Sequence, residues 1–94
     1  MGEVGVKQRR IVHYLQEASE AKEAMAIAHP RGREVVTAME TALAKDAEFD
    51  ARQCAEGRYM RAIYPQLSPP IVIVVVFEID WNTVQVVDLT TSFS

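Results

Sequence analysis

The stretch that decides the fold is Ile71-Val72-Ile73-Val74-Val75-Val76-Phe77-Glu78-Ile79-Asp80. Its first six residues are all β-branched, and their stiff χ1 wells suit an extended, pleated backbone. The run is too short to cross a membrane as a helix. It lacks the apolar/polar alternation of a strand with one wet face, so it reads as a central strand covered on both sides. In a chain of 94 residues that reading raises a question of material, because two faces need covering from one small core.

Downstream, Asp80-Trp81-Asn82 has turn-forming ends, and Thr83 to Thr91 (TVQVVDLTT) follows as another strand, which makes a short hairpin. Upstream, Pro65-Gln66-Leu67-Ser68-Pro69-Pro70 carries three prolines and cannot continue a ladder, so it is a loop. Before it, Gly57 to Tyr64 (GRYMRAIY) alternates, with Arg58, Met60, Ala62 and Tyr64 on one face and Tyr59, Arg61 and Ile63 on the other. It reads as a strand that carries arginine on both faces. Asp46 to Gly57 reads as a polar connection in which Phe49 anchors onto the core.

Two helices precede this meander. Glu17 to Ala28 is rich in Ala, Glu, Lys and Met, with a narrow side of Ala18, Ala21, Met25 and Ala28, flanked by Ala24 and Ile27. His29-Pro30-Arg31-Gly32 breaks it, since Pro30 disfavours a helical residue before it and Gly32 loosens the turn. The second helix runs from about Arg33 to Lys45, its buried stripe made of Val35, Val36, Met39, Ala42 and Leu43. So short a break favours an antiparallel helical hairpin. Gln8 to Leu15 is ambiguous: it reads as a strand with Ile11, His13 and Leu15 on one side and Arg10, Val12 and Tyr14 on the other, or as the start of a helix through Ile11, Leu15 and Ala18.

Composition narrows the function classes. The chain is 49% hydrophobic and 24% charged, which is globular, and its net charge of −3 argues against general electrostatic binding to nucleic acid. Cys54 is the only cysteine, which excludes an intrachain disulfide and a cysteine-rich zinc site and fits a reducing, cytoplasmic setting. Met1 to Lys7 has no apolar core of a signal peptide, and Lys7 stands where a myristoylation pattern wants Ser or Thr. No phosphate-cradling glycine loop, nucleophile elbow or zinc motif occurs, so no metal and no cofactor is expected.

Arg10-Ile11-Val12 followed by Gln16-Glu17-Ala18, the phrase Ala42-Leu43-Ala44-Lys45-Asp46-Ala47-Glu48, the strand opening Gly57-Arg58-Tyr59-Met60-Arg61-Ala62, and Phe77-Glu78-Ile79-Asp80 before Val84-Gln85-Val86-Val87-Asp88-Leu89 come in a telling order. In that order and spacing the chain resembles the RelE/ParE superfamily of small bacterial toxins. The resemblance implies an α+β fold, β-α-α-β-β-β, with a helical hairpin packed on one face of an antiparallel sheet. It implies an antitoxin protein as partner, and either cleavage of messenger RNA on the ribosome or inhibition of DNA gyrase. Cleavage needs cations to stabilise a charged phosphorane-like state and a group to move a proton. Arg58 and Arg61 lie where the family places basic residues, but the next strand, where nucleolytic members carry an arginine, is apolar from Ile71 to Phe77. The terminal strand offers Thr90, Thr91 and Phe93 in place of a late tyrosine or histidine. These departures favour a gyrase-directed or inactive relative over an efficient nuclease.

The candidate residues are weighed against ordinary roles. Arg58 and Arg61 as catalytic cations, with Tyr59 and Tyr64 to stack a base, form the one cluster suited to a phosphate. Their ordinary role is pairing with Glu78 or Asp88 across the sheet. Lys7, Arg9 and Arg10, and likewise Arg31 and Arg33, read as solvated charge. His13 acts as a general base only if it reaches the arginines, and His29 reads as a loop residue. Cys54 reads as a semi-buried structural thiol. Asp80 and Asn82 fit a turn. A ligand pocket between helices and sheet has no polar constellation behind it. With helices on one face only, the apolar strand leaves an open row, and Ile71, Ile73, Val75 and Phe77 are the expected interface of a non-catalytic homodimeric module.

Overall fold

A computed structural model of the chain describes residues 10–93. The readings at Met1 to Arg9, including the basic side chains Lys7 and Arg9, lie outside the described residues. The element order is β1 (Ile11–Tyr14), α1 (Gln16–Ala28), α2 (Gly32–Asp46), β2 (Arg52–Ala55), β3 (Arg58–Ile63), β4 (Ile71–Ile79) and β5 (Thr83–Phe93). The strands form one sheet in the order β1-β5-β4-β3-β2, with the helical hairpin packed on it. The fold is α+β. No helix among the described residues is long and apolar enough to cross a membrane.

The sheet departs from the expected one in two ways. It is mixed, because β1 adds to β5 in parallel, pairing Val12 with Val84 and Tyr14 with Val86. That also resolves the ambiguity at Ile11–Tyr14 in favour of a strand. The second departure is β2, which occupies what reads as a polar connection and pairs antiparallel with β3. Arg52-Gln53-Cys54-Ala55 has no β-branched residue and is exposed throughout, so neither propensity nor alternation marks it. The two-residue turn Glu56-Gly57 makes the hairpin, with Gly57 at φ 75°, where a side chain is disfavoured.

The helices cover one face only. Ala18 and Met25 of α1 and Val35, Met39 and Leu43 of α2 meet Ile63 of β3, Ile71, Ile73, Val75 and Phe77 of β4, and Val84, Val86 and Leu89 of β5. The expectation that β4 is covered on both sides is therefore corrected. Its exposure alternates along the strand, buried at Ile71, Ile73, Val75 and Phe77 and half-buried at Val72, Val74, Val76 and Glu78. The four residues expected at an interface are 0–2% exposed beneath the hairpin, so they are the core and not a contact surface.

The turn between the helices is tighter than its sequence implies. Gly32 is buried as the first residue of α2, and a Cβ built there would stand 1.8 Å from the Ala26 carbonyl oxygen of α1. Glycine serves close approach here, not a loosened turn. His29, read as a loop residue, is 3% exposed. Its Nδ1 accepts from the Arg31 backbone N–H at 2.9 Å, which leaves Nε2–H to donate to the Pro69 carbonyl at 2.7 Å. One imidazole thus fixes the helical turn and ties it to the proline loop before β4.

That double use makes His29 a stability determinant. His29→Ala leaves the Arg31 amide and the Pro69 carbonyl without these partners and is expected to cost about 2–3 kcal/mol. His29→Asn retains an acceptor two residues before the Arg31 amide and should recover part of the loss. Urea unfolding of the three proteins checks this, and an alanine variant as stable as the parent would contradict it.

β1 is held by polar contacts to the hairpin. Tyr14 Oη donates to Glu40 Oε2 at 2.7 Å, and the Lys22 ammonium lies 4.6 Å from the Tyr14 ring centroid. Burial, then that hydrogen bond to a carboxylate, push the Tyr14 hydroxyl above its ordinary pKa range. Just before β1, Arg10 makes a two-pronged pair with Glu48 at 2.9 and 3.0 Å.

Candidate functional site

The alternation of β3 separates the two arginines that the resemblance brings forward. Three residues apart on a strand, Arg58 and Arg61 point to opposite faces. Arg61 turns toward the helices. Its Nη1 donates to the backbone carbonyls of Asp46 at 2.6 Å, Ala47 at 3.4 Å and Ala42 at 3.5 Å. These carbonyls close the C-terminal turn of α2, where acceptors lack helical partners and the dipole favours a cation. The guanidinium carbon also lies 5.5 Å from the Phe49 ring centroid. Burial draws the Arg61 pKa down, with the Asp46 and Asp50 carboxylates opposing.

Arg61 is therefore a helix cap through Nη1. Phe49 does not anchor in the core; it is 63% exposed and carries the guanidinium on its face. Arg58 lies on the other face of the sheet and pairs with Glu78 through Nε at 2.9 Å, the ordinary role open to it from the start. Tyr59 is turned inward against Phe77, ring centroids 6.1 Å apart, while Tyr64 is 58% exposed beyond the end of β3. The structure does not bring Arg58, Arg61, Tyr59 and Tyr64 together as one site.

The other candidates also separate. His13 points to the open face from β1, three strand spacings from β3, or about 14 Å from Arg58. It does not reach the arginine. Cys54 is exposed on β2, not semi-buried. Arg31 pairs with Glu34 in the same helical turn through two bonds. Asp80 occupies the turn as expected, its Oδ1 accepting from the Trp81 amide at 2.8 Å.

What the fold does assemble is the open face of the sheet. Pairing runs straight across it in rows, because directly opposed residues share a face. One row is Arg52, Met60, Val76 and Asp88, and the next is Ala62, Val74 and Thr90. Beyond them, Val72 lies beside Ser92, and Glu78 beside Gln85, which in turn neighbours His13. A bulge in β5 between Val86 and Asp88 absorbs Val87 and keeps Asp88 in the row of Val76. The centre is a continuous apolar patch of Val72, Val74, Val76, Met60 and Ala62, with Met60 40% exposed.

Charge surrounds the patch unevenly. Arg52 and Arg58 stand on the β2–β3 side, Glu78 and Asp88 on the β4–β5 side. Sequence reasoning selected the inward row of β4 because both rows are apolar. Glu78 is the signal that separates them: it shares the parity of Val72, Val74 and Val76, and an uncompensated carboxylate does not belong under the helices. An apolar patch rimmed by charge is the surface expected of a binding face. No family model, no curated protein and no solved structure matches the chain, so the geometry of this face carries the functional reading.

Proposed function

We propose that this protein is a non-catalytic interaction module that works as a homodimer through the open face of its sheet. The observation that carries the reading is the row Val72, Val74 and Val76, with Met60 and Ala62 beside it, on the face that α1 and α2 leave uncovered. Leaving that row in water forgoes burial worth about 25 cal/mol per Å². Nucleophilic or acid–base chemistry has little to work with, since Arg61 caps a helix, Arg58 pairs with Glu78, and His13 is remote from both.

Val74→Arg tests the proposal. The substitution puts a charge at the centre of the patch without touching the helix-covered core, so the fold should survive while association is lost. Light scattering on the parent and the variant across micromolar concentrations should give dimer and monomer respectively, with equal far-UV circular dichroism. Identical masses for the two would count against the face.

A RelE/ParE-like toxin held by an antitoxin is the second reading, supported by the strand–helix–helix–meander order. Its test is growth. Arrest on expression, relieved by the product of a neighbouring open reading frame, supports it, and indifferent growth removes it.

A further inference from the structure

We infer that the occupant of the open face is a second copy of this chain, packed about a two-fold axis that runs along the strands between β3 and β4. This rests on the reading of the open face as a binding surface and adds a register to it. A rotation about such an axis exchanges β3 with β4 and β2 with β5 while keeping each row at its own height. Met60 then faces Val76 of the partner subunit, and Ala62 faces Val74 of the partner subunit. Arg58 meets Glu78 of the partner subunit, and Arg52 meets Asp88 of the partner subunit. These four contacts are apolar on apolar or cation on carboxylate.

Neighbouring axes do not share that property. Centred on β4, the same rotation sets Glu78 against its own copy and Asp88 on the partner's Met60. Centred on β3, it sets Arg58 against its own copy and Arg52 on the partner's Val76. An axis across the strands inverts the rows and lays Glu78 and Arg58 on valine and alanine. Like charges opposed, or a charge set on an apolar side chain, disfavour each alternative. The preferred axis leaves strands of the two sheets aligned, as stacked sheets are within about 30°. It also uses two groups that have no ion pair among the described residues, Arg52 and Asp88, which stand three strands apart in one chain.

Charge reversal at those two positions tests the register. Within one chain they are about 14 Å apart, too far to contact each other. Arg52→Asp and Asp88→Arg are each expected to weaken dimerisation about tenfold, since each sets like charges together at two symmetric places, and the double variant should restore it. The single changes move net charge in opposite directions, so a bulk-charge effect would strengthen one dimer and weaken the other. Dissociation constants come from sedimentation equilibrium on the full chain at fixed salt, with circular dichroism confirming the fold. Arg52→Glu and Asp88→Lys serve if either first choice folds poorly.

Loss in both singles with recovery in the double supports the axis. Three unchanged dimers, or losses that the double does not repair, overturn the register and leave the homodimer standing. A parent chain that is monomeric throughout overturns both, and the face then belongs to a different protein.

Discussion

Gly32→Ala is expected to lower the free energy of unfolding by about 3 kcal/mol or more, a large share of the 5–15 kcal/mol typical of a domain. Two effects oppose each other at this position. Helix propensity favours alanine over glycine by up to about 1 kcal/mol. Against it, the new Cβ would stand 1.8 Å from the Ala26 carbonyl oxygen, 2.5 Å from its carbon and 2.7 Å from its Cα. All three are backbone atoms, so no rotamer change relieves the overlap, and α1 must move off α2. Because α1 and α2 together cover the sheet, the shift reaches Met25 and Val35 in the core. Urea unfolding gives the sign directly. A variant as stable as the parent would mean that the helices do not approach as closely as described.

The second large effect is a contrast between adjacent residues of β4. Phe77→Ala is expected to cost about 3–5 kcal/mol, because a fully buried ring is removed from beneath the hairpin. Val76→Ala, one residue earlier on the half-buried open row, should cost the monomer about 1 kcal/mol or less. Measured at a concentration where the chain is monomeric, the ratio reports which face the helices cover. Equal losses would mean that the open face is also packed.

That contrast marks where the sequence was readable. The β-branched run identified β4 as the central strand, and the break at His29 to Gly32 identified the helical hairpin, since both follow from local chemistry. Which face of β4 the helices take was not legible from the run itself, because valine and isoleucine occupy both parities. Only Glu78 and the parity of Arg58 across β3 distinguish them, and the pairing that aligns those two is a tertiary fact. β2 was missed for the opposite reason, having no β-branched or large apolar residue for a pattern to catch. Arg61 misled because an arginine on a strand resembles a phosphate ligand, whereas its partners are the carbonyls ending a helix that lies 15 residues back at Asp46. His29 was undervalued in the same way, its second partner Pro69 being 40 residues away.

The open face also explains how so small a chain carries an unbroken apolar strand. Two helices supply cover for one side, and the proposed association would supply it for the other. The claim that joins fold to function is that the Val72, Val74 and Val76 row is buried against another copy. Light scattering of the unmodified chain over a dilution series tests it most directly. The account predicts twice the monomer mass at high micromolar concentration, falling toward the monomer on dilution. A monomer mass at every concentration would contradict it.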